Sequence, residues 1–175
     1  MKKYALPAIV GVLAFVAVGV AKADPMVGSQ SAEVVQPWTI EAGGAWSTDH
    51  HSPWYGNLGL DYGFEKSKDA NPVVPSIYLD DIFTTSGSSG NITDLGVAIR
   101  QDYRDSSSIV TPYVGVGVSG YYVSTSGADH SGLGAKAFGG VEFDSGWVLE
   151  ANYSAREQWD GANLSTYGVD LGFRF

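Results

Sequence analysis

The chain has 175 residues, no cysteine, and 19 acidic against 10 basic residues, which gives a formal net charge of −9. The absence of cysteine excludes disulfides, thiolate metal sites and cysteine nucleophiles. The acidic balance argues against nucleic acid as a partner, and the length predicts one domain.

The N-terminal segment has the pattern of an export signal. It opens with two lysines, continues with an almost entirely apolar run over residues 5–21, and ends with a small-x-small sequence, Ala-Lys-Ala, at 21–23. The apolar run is short for a membrane-spanning helix, which needs about 20 residues, so an uncleaved anchor is the less favoured alternative. We expect residues 1–23 to be a cleaved signal peptide that exports the chain through the inner membrane, and residues 24–37 to be a flexible N-terminal segment.

Alternation of apolar and polar residues predicts eight strands in the rest of the chain. They cover residues 38–46, 54–64, 73–83, 92–103, 109–123, 133–143, 147–154 and 165–175. Each has about the length that a tilted strand needs to cross a bilayer, and an even number of strands lets an up-and-down meander close on itself. The predicted fold class is therefore all-β, an eight-stranded antiparallel up-and-down transmembrane β-barrel over residues 38–175.

One face of each predicted strand is apolar. In the first strand this face runs from Trp38 through Ile40 and Ala42 to Trp46. Aromatic residues gather near the strand ends, as the two interfaces of a membrane require. The one charged residue on this face is Asp81, which we expect at the external rim of the barrel.

The opposite face is polar and acidic, and we expect it to face the barrel interior. It carries eight carboxylates and three bases, namely Glu41, Asp61, Asp80, Asp94, Asp102, Glu142, Glu150 and Asp170 with Arg100, Lys136 and Arg174. An eight-stranded barrel has a lumen that side chains fill, so these groups must satisfy one another or trapped water. A soluble barrel needs the reverse arrangement, because carboxylates cannot make a dry core.

We therefore predict a polar network that fills the lumen. Its predicted members are Glu41, Asp61, Asp94, Arg100, Lys136, Glu142, Glu150, Asp170 and Arg174. The excess of acids keeps one alternative open, a small solute channel that prefers cations. The narrow lumen and several bulky inward tyrosines oppose this alternative.

The last strand alternates without a break and ends on an aromatic residue. Its outward residues are Tyr167, Val169, Leu171, Phe173 and Phe175. An alternating final strand that stops on phenylalanine is typical of bacterial outer-membrane barrels.

Three stretches carry a family resemblance. The sequence Thr-Pro-Tyr-Val-Gly-Val-Gly-Val at 111–118 resembles a Pro-Tyr-x-Gly-x-Gly strand that is common in small outer-membrane barrels related to the opacity proteins and the OmpA membrane domain, within the porin superfamily. Residues 139–143 and 147–153 are similar to the paired penultimate strands of that family. The resemblance covers residues 38–175.

This resemblance implies a place and several partners. It implies a barrel in the cell outer membrane of a Gram-negative envelope, surrounded by membrane lipid and lipopolysaccharide. It further implies that the barrel-assembly machinery reads the last strand with its terminal Phe175. The resemblance indicates an activity only weakly. We expect a structural or surface-interaction role, in adhesion or envelope integrity, with a possible extracellular ligand on the external loops, and the solute channel stays open beside it.

The same resemblance raises an enzymatic alternative. Asn152, Tyr153 and Ser154 stand where lipid A deacylase barrels carry a His-x-Ser pair, with serine as nucleophile and histidine as base. An asparagine side chain does not titrate and cannot take the serine proton. The sequence therefore indicates no enzyme, no catalytic residues and no cofactor.

The three histidines are the candidates for a metal site. His50 and His51 follow Asp49 in the predicted first external loop, and His130 follows Asp129 in the predicted third. Imidazole and carboxylate suit zinc. Adjacent residues of an extended chain point in opposite directions, however, so the sequence favours no metal site at these histidines.

Overall fold

The computed structural model describes residues 37–48, 54–64, 72–84, 90–103, 108–125, 127–159 and 163–175. The described residues form eight strands: β1 (Trp38–Ser47), β2 (Trp54–Gly63), β3 (Val73–Thr84), β4 (Gly90–Asp102), β5 (Val110–Thr125), β6 (Asp129–Phe143), β7 (Trp147–Arg156) and β8 (Thr166–Arg174). None of the described residues forms a helix with the length and apolarity that crossing a membrane requires. The predicted signal peptide, residues 1–23, lies outside the described residues, as do residues 24–36 of the predicted N-terminal segment.

The strands form one closed barrel in chain order, and every pairing is antiparallel. The closing pair joins β1 to β8, with Thr39 opposite Arg174 and Ser47 opposite Thr166. Beyond the ladder, Phe175 N–H donates to the Trp38 carbonyl at 2.9 Å, and Trp38 N–H donates to the Phe175 carbonyl at 3.2 Å. The prediction of an eight-stranded antiparallel up-and-down barrel is confirmed.

Trp38 and Phe175 lie together at one end of the barrel. We call the end that holds Trp38 and Phe175 the terminal end, and the opposite end the loop end. At the terminal end, β6 and β7 are joined by a tight turn in which Gly146 N–H donates to the Phe143 carbonyl at 2.8 Å. Gly146 has a φ of 89°, a left-handed conformation that favours glycine.

The predicted loop between β5 and β6 is wrong, and so are the two strand ends beside it. Residues 124–132 were predicted as an external loop, but β5 continues to Thr125 and β6 begins at Asp129. The Thr125 hydroxyl donates to the Ala128 carbonyl at 2.7 Å and accepts from the Ala128 N–H at 3.2 Å, which holds a tight hairpin. The added residues are polar on both faces, so the apolar alternation that marks a strand is missing there.

The outward face is apolar across the middle of the barrel. In β8 the burial pattern alternates without exception, and the five outward residues from Tyr167 to Phe175 are 38–54% exposed. Rings pair at both ends of the barrel: Trp46 stacks on Tyr167 at the loop end, and Trp147 meets Phe173 edge-on at the terminal end. This arrangement matches the aromatic girdles of transmembrane barrels.

Asp81, an outward carboxylate of β3, is hydrogen-bonded on the barrel surface. Asp81 lies opposite Thr93 in the pairing of β3 with β4. Thr93 Oγ1 donates to Asp81 Oδ1 at 2.8 Å, and Asn91 Nδ2 donates to the same oxygen at 3.4 Å. These three polar residues lie near the β3–β4 connection, at the loop end, where the apolar face stops.

The outward face generates a depth-dependent prediction. Val116 is 56% exposed in the middle of β5, and Ile109 is 71% exposed just before that strand begins. We expect Val116→Arg to lower the free energy of folding into lipid vesicles by about 2–4 kcal/mol, and Ile109→Arg by about 0–1 kcal/mol. Urea titrations of both variants in vesicles measure the difference. Equal costs at the two depths would contradict a lipid-facing β5.

Candidate functional site: the barrel interior

The inward polar side chains fall into three layers. These side chains lie on the inner face of the strands, and the contacts among them define each layer. The terminal layer contains Thr39, Arg100, Asp102, Glu142 and Arg174; the middle layer contains Glu41, Asn57, Asp80, Lys136, Glu150, Asn152 and Asp170; the loop layer contains Asp94, Ser119, Arg156 and Thr166.

The terminal layer is organised around Glu142. Its Oε2 contacts Arg100 Nη2 at 3.0 Å and Arg174 Nη1 at 2.5 Å. Arg100 Nε also pairs with Asp102 Oδ1 at 2.6 Å, and Arg174 Nε donates to Thr39 Oγ1 at 3.1 Å. Because these residues come from β1, β4, β6 and β8, the layer joins opposite walls of the barrel.

The middle layer is organised around Lys136. Its Nζ lies 3.0 Å from Asp80 Oδ2 and 3.4 Å from Glu150 Oε1, and it lies above the Tyr78 ring at 5.1 Å. The Tyr113 hydroxyl donates to Glu150 Oε2 at 3.1 Å.

Two amides complete the middle layer around Asp170. Asn57 Nδ2 donates to Asp170 Oδ1 at 3.0 Å, and Asn152 Nδ2 donates to Asp170 Oδ2 at 2.5 Å. Glu41 lies in the same layer and is 8% exposed. A neutral amide satisfies a carboxylate oxygen without compensating its charge, so this side of the layer stays acidic.

The loop layer is a fork of Arg156 on Asp94. Arg156 Nε and Nη2 both reach Asp94, at 3.1 and 2.5 Å to Oδ2. The remaining nitrogen, Nη1, donates to the Leu164 carbonyl at 2.9 Å and to Thr166 Oγ1 at 3.0 Å. Ser119 Oγ donates to Asp94 Oδ1 at 3.0 Å. This layer therefore ties β7 to β4, β5 and β8 below the loop end.

A small cavity remains between the terminal and middle layers. It measures about 40 Å³, and its wall runs from Pro37 and Gly63 at the terminal end to Glu41, Lys136 and Glu150. Asp61, another residue of the predicted network, also lies in this wall. A volume of this size holds a few water molecules at most, since one water needs about 10–15 Å³ by this measure.

The nine predicted network residues all lie in the interior, in different layers. The terminal layer holds Arg100, Glu142 and Arg174; the middle layer holds Glu41, Lys136, Glu150 and Asp170; Asp94 is in the loop layer and Asp61 is in the cavity wall. The sequence reasoning missed Arg156, because it ended β7 at residue 154. The inward positions 148, 150, 152 and 154 recur at every second residue, and the next such position is Arg156.

The structure places Asn152 and Ser154, which the deacylase resemblance singled out, on the inner face of the wall. Asn152 is engaged by Asp170, and Ser154 is inward and 8% exposed. No described histidine contacts Ser154.

The structure corrects the placement of one histidine. His130 was predicted in a loop, but it lies in β6 and its ring stacks on Trp159, with centroids 5.3 Å apart. Its neighbour Asp129 lies on the other face and accepts from Ser124 Oγ at 3.3 Å. The pair therefore cannot bind one ion. His50 and His51 lie outside the described residues.

Comparison with known proteins identifies the fold. No family model matches the chain, and no curated protein matches it significantly. Among solved structures, Neisserial surface protein A is similar with a TM-score of 0.62 and 17% identity over 78% of this chain and 92% of that protein. The outer-membrane enzyme PagL is similar with a TM-score of 0.59 and 11% identity over 79% of this chain and 97% of that one.

A third structure extends the same likeness. The N-terminal β-barrel domain of Pseudomonas aeruginosa OprF has a TM-score of 0.51 and 15% identity over 79% of this chain and 96% of that domain. Identities at this level establish a fold and leave activity open, and one of the three similar proteins is an enzyme. The closed eight-strand ladder and these likenesses together show that the chain has the fold of the small eight-stranded outer-membrane β-barrels.

Proposed function

We propose that this protein resides in the cell outer membrane as a closed barrel with a structural or surface-interaction role, in adhesion or envelope integrity. The observation that carries the proposal is the polarity of the wall. Apolar residues cover the outside, and ion pairs cross the inside. Lipid accepts such an exterior, whereas water disfavours an apolar surface of this extent.

The ion pairs support a closed interior. The terminal layer joins β4, β6 and β8, the Lys136–Asp80 pair joins β6 and β3, and the Arg156–Asp94 pair joins β7 and β4. Each pair crosses the lumen, so a solute would have to separate buried opposite charges to pass. Separating such a pair leaves buried charges without compensation, which is costly.

The second candidate is a small cation-preferring channel. Eight inward carboxylates face four inward bases once Arg156 is counted, so the described lumen has an excess of negative charge. This excess favours cations if a path opens. The three crossing layers and the 40 Å³ cavity favour the closed form instead.

An enzymatic role has less support. PagL has the same fold and is an outer-membrane enzyme. In this chain Asn152 binds Asp170, and Ser154 is buried in the lumen. We therefore propose that the chain makes its contacts with membrane lipid, lipopolysaccharide and any extracellular ligand without chemical turnover.

The proposed location predicts a heat-dependent gel shift. A closed ladder leaves no edge for detergent to open, so the unboiled protein should migrate in SDS as a compact folded form and shift on boiling. The same protein should be recovered in the outer-membrane fraction. Identical mobility before and after boiling, with recovery in the soluble periplasm, would contradict the proposal.

The closed interior predicts an absence of conductance. Purified folded protein in planar bilayers should give no reproducible current steps, because every layer is bridged by ion pairs. An open porin measured in the same bilayers is the positive control. Discrete cation-selective steps from the wild-type protein would establish the channel instead.

The role proposed for the last strand generates a test that separates recognition from stability. Phe175 pairs through its backbone with Trp38, so deleting it removes hydrogen bonds as well as a ring. We expect Phe175→Ala, which keeps the backbone, to lower outer-membrane levels several-fold at low expression, and Phe175→Trp to restore them. Inner-membrane export should be unchanged.

Folding without the assembly machinery provides the control for this test. All three forms should fold in pure lipid vesicles to similar extents, because a residue at the chain end contributes little to stability. If Phe175→Ala reaches the outer membrane as well as the wild type does, the ring is not an assembly signal. If it fails equally in vesicles, the defect is one of folding.

A further inference from the structure

Negative charge in the middle layer exceeds its partners. The layer contains the carboxylates of Glu41, Asp80, Glu150 and Asp170, and Lys136 is the one base among its described members. Lys136 pairs with Asp80 and Glu150. Buried charge in this excess is costly unless a positive group compensates it.

Three of these carboxylates converge at one point. One oxygen from each of Glu41, Glu150 and Asp170 lies within 4.8 Å of the other two, and the residues are only 8%, 5% and 1% exposed. They come from β1, β7 and β8, which are neighbours around the closing seam of the barrel. Glu150 and Asp170 are directly opposite each other in the ladder.

Buried oxygens of Asn57 and Glu150 accept no hydrogen bond from the described residues. Glu41 is more than nine-tenths buried and lies in the cavity wall. Asn57 is also more than nine-tenths buried, and its amide touches Asp170 through Nδ2 while its Oδ1 is without a partner. An unpaired buried acceptor is costly, and a cation satisfies several acceptors at once.

We propose that Glu41, Glu150 and Asp170 bind one calcium ion inside the barrel, with Asn57 Oδ1 as a further oxygen ligand. Carboxylate and amide oxygens are hard ligands, which suit calcium and not zinc at a structural site. Calcium accepts six to eight oxygens in irregular geometry, whereas magnesium demands an octahedron. Water in the adjoining cavity supplies the remaining ligands.

The cavity also adjoins the proposed site. Its wall extends from Glu41 and Glu150 to Pro37 and Gly63 at the terminal end of the barrel. The ion would bridge the first strand to the last two, because its ligands come from β1, β7 and β8. Calcium would therefore act as a cross-link at the seam where the sheet closes.

The test uses the folded protein in detergent, stripped with EDTA, and calcium chloride as the probe. We expect titration calorimetry to give one saturable site per barrel, and calcium to raise the urea midpoint of unfolding relative to EDTA. Glu41→Gln should weaken calcium binding at least about tenfold. In EDTA this variant should be as stable as the wild type or more so, because it removes an uncompensated charge.

Matched variants keep the result interpretable. Asp61→Asn makes the same acid-to-amide change in the cavity wall outside the cluster, and calcium binding should be unchanged. Glu150→Gln should lose binding as Glu41→Gln does, and it replaces that variant if Glu41→Gln does not fold. The proposal is overturned if the wild-type barrel shows no saturable calcium binding at neutral and alkaline pH. In that case protons, and not a calcium ion, neutralise the cluster. Equal binding by both cluster variants and the wild type does so as well.

Discussion

Closure of the backbone ladder is the constraint on which the rest of this structure depends. Each strand pairs with two neighbours, and the β1–β8 pairing leaves no described strand with a free edge. Hydrocarbon offers no partner for an unpaired N–H or carbonyl, so closure is what allows strands to lie in a membrane at all. It also forces one face of every strand inward, where eight strands leave room only for side chains.

The interior then has to solve an electrostatic problem. Crossing ion pairs such as Glu142 with Arg100 and Arg174 satisfy charges that the lumen holds away from bulk water. Such pairs add little net stability compared with apolar packing, because desolvation offsets their attraction. Their effect here is to close the lumen and hold opposite walls in one arrangement. The acidic side of the middle layer is where this compensation is incomplete, and it is there that a cation fits.

The fold and the function are separate questions in this architecture. Neisserial surface protein A and PagL both share the barrel, and PagL is an enzyme. The wall is similar in such proteins because the membrane imposes it, whereas activity depends on a few side chains and on which side of the wall they face. In this chain Ser154 faces the lumen and Asn152 is engaged by a carboxylate.

The sequence by itself determined the strands, their two faces and the closed barrel, because alternation has a period of two and is read locally. It predicted nine interior residues and placed Asp81 near a rim. Where both faces are polar, the alternation is absent, so the sequence pattern missed the strand position of His130. It also missed the inward position of Arg156, because the predicted strand ended at residue 154 although the alternation continues through Arg156. Only the tertiary structure decided which interior groups meet. Glu41, Glu150 and Asp170 are far apart in the chain, and the stagger of the strands in the closed sheet brings them together. A short window of sequence contains no information about this stagger.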